Sequence, residues 1–268
     1  LDMVLFFLFW ELTLPPLSFL IGLGGLGAAQ RNAAMQYPLM MLFGGVPLLF
    51  GIMILAVNNA SAGKGLIFSV PQLLDLPLQL PLQDLVMVLL VLGFAIKAPL
   101  VPLHVWLSTA AMESPTSITA WLIGLKLGVF GLLRFALPLA PAAAVEYAWM
   151  LGIIGAVTLL YGALVALPQT NLRRLLAFLS ISHVGLVVIG FVSMNIQGLQ
   201  GALLQLLNFS MVASALMLIA GFIQNRLGSN ELVHLGGLAK VMPCLTTLYF
   251  LFTLASVGLP GTSGFPAE

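Results

Sequence analysis

The chain has 268 residues, of which nine are Lys or Arg, eight are Asp or Glu and 61% are hydrophobic, and its mean hydropathy is +1.14. A soluble domain carries about 25% charged residues, so the 6% found here exclude a soluble globular enzyme. The net charge of +1, with no Lys/Arg cluster larger than Arg173-Arg174, excludes a nucleic-acid binder, and the hydrophobicity excludes a disordered chain. The composition therefore predicts a polytopic membrane protein.

Successive apolar stretches of membrane width predict an all-α fold of about eight transmembrane helices. The stretches are Met3–Gly27, Tyr37–Val57, Leu85–Leu107, Ser117–Leu139, Tyr147–Leu167, Leu172–Val192, Leu199–Ile223 and Pro243–Leu259. Short linkers predict antiparallel neighbours, whereas the long segment Asn58–Asp84, with Pro71, Pro77 and Pro81, is expected to lie along the membrane interface. The chain begins without Met or a charged leader and stops after a glycine-rich break, so we expect an internal fragment of a longer protein.

The distribution of Lys and Arg predicts the orientation of these helices. Lys64 is the only basic residue clearly in a loop on one face, and Arg134 lies near a span end. The positive-inside rule assigns the opposite face to the cytoplasm or its equivalent. The basic residues predicted on that face are Arg31, Arg173, Arg174, Arg226 and Lys240.

Three charged residues, Glu11, Lys97 and Lys126, fall in the middle of apolar spans. Charge at membrane depth is costly, so such residues normally face a partner or a water-filled cavity. A Glu–Lys pair that meets and separates changes the proton affinity of both groups, and a second lysine would receive the proton when the pair breaks. The pattern favours a proton relay over a static salt bridge or snorkelling, because both lysines lie far from the ends of their spans.

Two of the spans are predicted to be broken. Pro99 and Pro102 interrupt the segment Lys97–Pro102, and a Gly- and Pro-rich run interrupts Gly258–Glu268, which ends on the acid Glu268. Two interrupted hydrophobic segments at corresponding places point to an inverted-repeat transporter with sites near the midplane. The alternative, that prolines merely kink packed helices, explains either break alone but explains less well why each carries a charge.

The remaining candidates are weaker. His183 is the only histidine well inside a span and could shuttle protons or bond a neighbouring carbonyl; His104 could extend a proton path or cap a helix, and His234 is expected to be solvated. The run Gly22–Gly27 fits a dinucleotide-binding spacing, but no strand precedes it. With Cys244 as the single cysteine, no disulfide, Cys-based zinc site or iron–sulfur cluster is possible, and no cofactor or metal site is predicted in this chain.

Several dispersed motifs, in this order, resemble the antiporter-like subunits of respiratory complex I, and within that family the M-type subunits, which are called chain 4 in mitochondria. The motifs are Lys97–Leu107, Gly124–Phe135, Gln169–Ala177, Ser180–Gly185, Leu235–Pro243 and Gly258–Phe265. The resemblance implies a fourteen-helix fold with two inverted five-helix repeats, of which this chain resembles helices five to twelve. Residues 1–268 would be one transmembrane domain, with most of the first repeat in 1–140 and part of the second in 147–268.

The resemblance also implies roles. Glu11 and Lys97 match the Glu–Lys pair of the first repeat, Lys126 the next lysine, and His183 and Glu268 the relay groups of the second half. The implied activity is proton translocation by a non-redox subunit of a complex I-like NADH, NAD(P)H or ferredoxin:quinone oxidoreductase. The nicotinamide cofactor, flavin, iron–sulfur clusters and quinone would sit in other subunits.

Other membrane subunits, the lipid bilayer and protons would be the partners, with no nucleic acid. The implied location is the bacterial inner (plasma) membrane or a thylakoid or cyanobacterial membrane.

Three departures from the family pattern indicate a diverged paralogue. Ser108–Glu113 replaces the usual Pro-Asp-Ala-His, Gly264–Glu268 replaces Gly-Phe-Val-Gly-Glu, and Phe209 stands where a relay histidine is common. The lost histidine leaves open how the two half-channels connect, with Asn208 or water as substitutes. Two alternative functions stay open: a subunit of a multisubunit cation/proton antiporter or membrane-bound hydrogenase, and a structural membrane-arm subunit that moves no protons.

Overall fold

The computed structural model describes residues 2–61, 63, 65–75 and 78–268. Lys64 and Pro77, which entered the predictions of orientation and of an interfacial segment, lie outside these residues. The all-α prediction is confirmed, since the described residues form helices and only two isolated β-bridges. The α-helices are α1 (Met3–Leu12), α2 (Leu14–Gly24), α3 (Gln30–Ser61), α4 (Val70–Leu74), α5 (Leu80–Lys97), α6 (Val105–Glu113), α7 (Thr116–Gly124), α8 (Leu127–Gly131), α9 (Leu137–Leu139), α10 (Pro141–Glu146), α11 (Ala148–Ala166), α12 (Leu172–Val192), α13 (Ile196–Leu227), α14 (Leu238–Val241) and α15 (Pro243–Ser256).

Seven helical segments of the described chain are long and apolar enough to cross a membrane. The eighth predicted span is the shorter helix α15, which ends where Gly258 adopts a positive φ of 68°. Helices α3 and α13 each have 32 residues and extend beyond their apolar windows, because polar residues continue the helix at both ends. Between α3 and α5 the described residues form only the short helix α4, so this segment does not cross the bundle.

The third span is broken after Lys97, as its prolines predict. Two side chains bond backbone groups at the break: the Trp106 indole Nε1 donates to the Ile96 carbonyl at 2.8 Å, and the Val101 N–H donates to Thr158 Oγ1 on α11 at 3.1 Å. Irregular backbone at membrane depth needs such internal partners. The break is therefore a fixed part of the fold.

Two further interruptions were not predicted from the sequence. The first span divides at Thr13, because Pro15 and Pro16 in the first turn of α2 have no N–H to continue the α1 ladder. The fourth span divides at Lys126, between α7 and α8, and then passes through a π-helical turn at Leu132–Ala136. That division has no proline, so its cause lies in tertiary packing.

Gly128 is the residue that draws α8 against the end of α5. A Cβ atom at this position would lie 2.6 Å from the Phe94 carbonyl oxygen and closer still to the Ala98 nitrogen. Only glycine permits this approach of two backbones. The contact places Lys126 beside the break that follows Lys97.

Buried apolar residues form two clusters that follow one another along the helix axes. The first core includes Trp10, Leu48, Phe94, Val129, Leu151, Val184 and Ala202. The second core includes Leu14, Tyr37, Ile96, Ile123, Ala166, Ile181 and Phe209. One span runs from the first core to the second, and the next span runs from the second core back to the first. This alternation confirms that successive spans are antiparallel neighbours.

The basic residues predicted to share one face lie near the second-core ends of their helices. Arg173 differs from a simple orientation signal, because its side chain is only 2% exposed. Its guanidinium donates to the carbonyl of Ser114, to Thr119 Oγ1 and to Gln224 Oε1. It therefore joins α12 to α13 and to the corner between α6 and α7, a role that charge counting did not predict.

Candidate functional site

A polar layer lies where the first and second cores meet. Glu11 stands between Trp10 of the first core and Leu14 of the second, Lys126 between Ile123 and Val129, and His183 between Ile181 and Val184. Lys97 follows Ile96 at the end of α5, and Gln205 stands on α13 between Ala202 and Phe209. Polar side chains from five spans thus converge at one level of the bundle.

Glu11 occupies the penultimate position of α1, directly before the interruption at Thr13. Both carboxylate oxygens are buried and have no hydrogen-bond partner among the described residues. Gly45 on α3 makes room for them, because a Cβ atom there would overlap the carboxylate. The local fold therefore leaves space for the carboxyl group but supplies no hydrogen-bond partner for it among the described residues.

Lys97 is the last residue of α5, where the break begins. Its Nζ lies 3.9 Å from the centroid of the Trp10 ring and 3.5 Å from the Trp10 carbonyl oxygen. In the described part of the chain, Glu11 and Lys97 make no ion pair within 4.0 Å. The structure thus places the Lys97 ammonium against the Trp10 ring, without an ion pair to Glu11 among the described residues.

Lys126 lies in the gap between α7 and α8, where the helical ladder is interrupted. Its Nζ donates to Ser180 Oγ on α12 at 2.5 Å and lies 5.6 Å from the centroid of the Phe209 ring. Ser180 is fully buried. Lys126 therefore connects the interrupted fourth span with the two helices that carry the second half of the layer.

His183 is held by two residues of α13. The Phe209 ring stacks on the imidazole with a centroid distance of 3.8 Å, and Gln205 Nε2 lies 3.0 Å from Nδ1. Nδ1 is also 3.9 Å from the Glu268 Oε1 atom. His183 is therefore part of a side-chain network. The predicted alternative of a bond to a neighbouring carbonyl did not include these side chains.

Glu268 follows the second break, which the Gly- and Pro-rich run predicts. Its Oε1 accepts a hydrogen bond from Gln205 Nε2 at 3.2 Å. The same broken segment is tied to α13 by Ser263, whose hydroxyl donates to Asn208 Oδ1 at 2.5 Å. Asn208 therefore anchors the break, while Phe209 beside it contacts His183 and Lys126.

The five predicted site residues thus fall into two groups, Glu11 with Lys97 and His183 with Glu268, with Lys126 between them. Ser180 and Gln205 were not predicted as site residues, because their side chains are polar but uncharged. Gln205 is only 1% exposed, and an amide inside an apolar run is the signal that would have found it.

The other histidines stand apart from the layer. His104 packs with a centroid distance of 4.9 Å against Tyr161, and its Nδ1 is buried without a partner in the described part of the chain. His234 is exposed, as predicted, and pairs with Ser229 at 3.0 Å. Among the described residues, no group of three or more His, Cys, Asp or Glu could hold a metal ion.

Comparison with known proteins shows the family of the chain. The model of the family described as NADH:quinone oxidoreductase/Mrp antiporter, TM matches residues 1–268. The chain is 37% identical over 271 residues to NADH-quinone oxidoreductase subunit M of Rickettsia conorii, covering all of the chain and 54% of that relative. It is 34% identical over 270 residues to NADH-ubiquinone oxidoreductase chain 4 of Arabidopsis thaliana, covering 100% of the chain and 53% of the relative. The chain therefore spans about half the length of the curated relatives it matches.

Solved structures show the same fold. Respiratory complex I from Thermus thermophilus with bound NADH contains a chain that superposes with a TM-score of 0.93 at 34% identity, covering 100% of this chain and 56% of that one. The Mrp complex from Dietzia sp. contains one with a TM-score of 0.89 at 27% identity, covering 99% of this chain and 49% of that one. The protein is a multi-pass integral membrane protein, and it belongs to the NADH:quinone oxidoreductase/Mrp antiporter transmembrane family.

Proposed function

We propose that this chain is the proton-carrying part of an M-type membrane-arm subunit in a complex I-like NAD(P)H or ferredoxin:quinone oxidoreductase of a bacterial inner membrane. The observation that carries the proposal is the polar layer, in which Glu11, Lys97, Lys126 and Glu268 each stand at or beside a helix interruption between two apolar cores. Charged groups at this depth are expensive, so their alignment at one level indicates a path for charge.

The geometry indicates how the first group would work. Lys97 rests against the Trp10 ring while the Glu11 carboxylate has no hydrogen-bond partner in the described chain, so the two groups stand apart. Movement of the Lys97 ammonium toward Glu11 would form an ion pair and change the proton affinity of both groups. A proton released there would pass to Lys126 and then toward His183 and Glu268, and no step on this route needs a redox centre.

The proposal includes the arrangement of the whole subunit. Residues 1–140 and 147–268 would belong to two inverted repeats, with the predicted breaks Lys97–Pro102 in the first and Gly258–Glu268 in the second. Nicotinamide cofactor, flavin, iron–sulfur clusters and quinone would be bound by other subunits, and the membrane subunits of the same assembly would be the partners. Quinone reduction elsewhere would drive the separation and contact of Glu11 and Lys97.

A second candidate is a subunit of a multisubunit cation/proton antiporter. The match to a chain of the Mrp complex, at 27% identity and with a TM-score of 0.89, favours this candidate over unrelated transporters. The higher identity to complex I subunits favours the first proposal. An antiporter would exchange protons for a cation without quinone reduction, so the two candidates differ in what drives transport.

The test is the replacement of Lys97 by Met or Ala in the full-length protein within its complex. Proton pumping and quinone reduction are measured in parallel in inverted membrane vesicles, with the amount of assembled complex determined by blotting. We expect at least about a tenfold loss of pumping, together with slower quinone reduction, in fully assembled complex. Unchanged pumping would contradict the relay and would leave the structural-subunit alternative.

Glu146→Gln is the matched control, because Glu146 is exposed at the end of α10, away from the polar layer. This variant should pump protons and reduce quinone at the rates of the unmodified protein. Cation-driven proton movement in the absence of an electron donor would support the antiporter candidate instead.

A further inference from the structure

Gln205 forms hydrogen bonds with both titratable groups of the second half of the layer, His183 and Glu268. Its Nε2 lies 3.0 Å from His183 Nδ1 and 3.2 Å from Glu268 Oε1. Its Oε1 is buried and has no partner among the described residues. Both donor hydrogens of the amide are therefore engaged, while its acceptor is unused.

This arrangement fixes the chemistry of the ring. An amide N–H can only donate, so Nδ1 of His183 is the acceptor and the ring proton is on Nε2, which makes the histidine neutral. The amide nitrogen has no available lone pair to take up a proton. His183 Nδ1 and Glu268 Oε1 are 3.9 Å apart, and Gln205 joins them by a group that cannot pass a proton between them.

We propose that Gln205 is a positioning residue that holds His183 as the neutral Nε2–H tautomer and prevents direct proton exchange with Glu268 until the amide group turns over. The inference rests on the proposed function, since it describes a control point on the proposed proton path. Phe209, one helical turn further along α13, covers the face of the ring, so the imidazole is restrained on its face and on its Nδ1 edge.

Turnover of the amide gives the unused oxygen a role. A half-turn about the terminal bond of Gln205 exchanges Nε2 and Oε1, so that Oε1 accepts from Nδ1–H once the ring has taken up a proton. The oxygen then accepts a hydrogen bond from the ring, while Nε2 moves to the former position of the oxygen and no longer donates to Glu268 Oε1. Each orientation of the amide thus matches one protonation state of His183.

The direct test observes the ring. Full-length protein in its complex is labelled with ¹⁵N-histidine, and the His183 signals in solid-state NMR spectra are assigned by their loss in His183→Gln. We expect neutral His183 with its proton on Nε2 in the unmodified protein. In Gln205→Leu, we expect a changed Nδ1 shift with a mixture of tautomers, because the donor to Nδ1 is gone. An unchanged Nδ1 shift in Gln205→Leu would overturn the inference.

The second readout is the pH profile of proton pumping per quinone reduced. Gln205→Leu should lower this ratio about tenfold, the equivalent of one lost hydrogen bond to an ionised group. Gln205→Glu supplies a carboxyl group that can exchange protons with both neighbours, so it should keep substantial pumping but shift the profile along the pH axis. Full pumping with an unshifted profile in both variants, in assembled complex, would also overturn the inference.

Ser214→Ala is the matched control on the same helix, because Ser214 bonds only to backbone carbonyls of Ala120 and Ser210. It should leave the His183 signals and the pH profile unchanged. Failure of the proposed function would be seen separately, as an absence of proton pumping in the unmodified complex. The NMR result for Gln205→Leu remains decisive for the positioning role in that case.

Discussion

The two ends of the polar layer are built differently. At one end, Glu11 and Lys97 are charged residues among aromatic rings, and the Glu11 carboxylate has no hydrogen-bond partner in the described chain. At the other end, His183 and Glu268 are joined by the neutral amide of Gln205. Bonded networks hold side chains in place, whereas an uncommitted ion can change partners. We infer that charge moves between partners at the first end and is received by a hydrogen-bonded network at the second.

Lys126 is the residue on which this comparison depends, since it contacts Ser180 and lies over the Phe209 ring. Replacement of Lys126 by Met removes the titratable group that lies between the two ends. We expect proton pumping to fall about 100-fold, within the range found for loss of a proton-transfer group. Pumping is measured in vesicles and normalised to assembled complex.

Lys126→Arg separates charge from proton transfer. Arginine keeps a positive charge and can still donate to Ser180, but it does not deprotonate in proteins. We therefore expect the Arg variant to lose pumping almost as completely as the Met variant. Normal pumping in Lys126→Arg would show that Lys126 supplies only a fixed charge. Lys126 would then not transfer protons between the two ends of the polar layer.

A smaller effect is expected from a change that disturbs only the geometry of the first end. Gly128→Ala would force α8 away from the end of α5, because the added Cβ overlaps the backbone of Phe94 and Ala98. We expect a loss of about 1–3 kcal/mol in stability, as is usual for overpacking, seen as a lower thermal midpoint of the complex. Gly152→Ala is the control, because its Cβ would meet only Val192 Cγ1 at 3.9 Å; an equal loss there would contradict the account.

The parts of the fold that follow from local chemistry were predicted. The apolar windows gave the spans, and the prolines after Lys97 and the glycines around Gly258 gave the two breaks. The interruption at Lys126 was not predictable in this way, because it depends on the contact of Gly128 with a helix about thirty residues away in sequence. The burial of Arg173 was missed for the same reason, since its partners come from other helices.

The candidate site was predicted only as a set of charged residues. Their placement in one layer depends on where the first core ends and the second begins along each span, and the hydropathy of the sequence does not show this. Gln205 and Ser180 carry no charge, so the energetic cost of burying an ion did not identify them as site residues. The contact of the Lys97 ammonium with the Trp10 ring is likewise a matter of side-chain packing.

The smallest expected effect comes from Phe209, which lies against both Lys126 and His183. Phe209→His would place a group that can exchange protons between the two ends, so we expect proton pumping to become faster by a few fold, well below the loss caused by removing a transfer group. Phe209→Leu keeps the position apolar and should leave the rate close to that of the unmodified protein. Equal rates in the two variants would show that the aromatic ring does not limit transfer.

The most direct test of the central claim is the number of protons pumped per quinone reduced in Glu11→Gln. Glutamine keeps the size and polarity of the side chain but cannot ionise, so it removes the partner that Lys97 would meet. The account predicts at least about a tenfold lower ratio in fully assembled complex, with Glu146→Gln unchanged. An unchanged ratio in Glu11→Gln would contradict the claim that the polar layer between the two cores carries the protons.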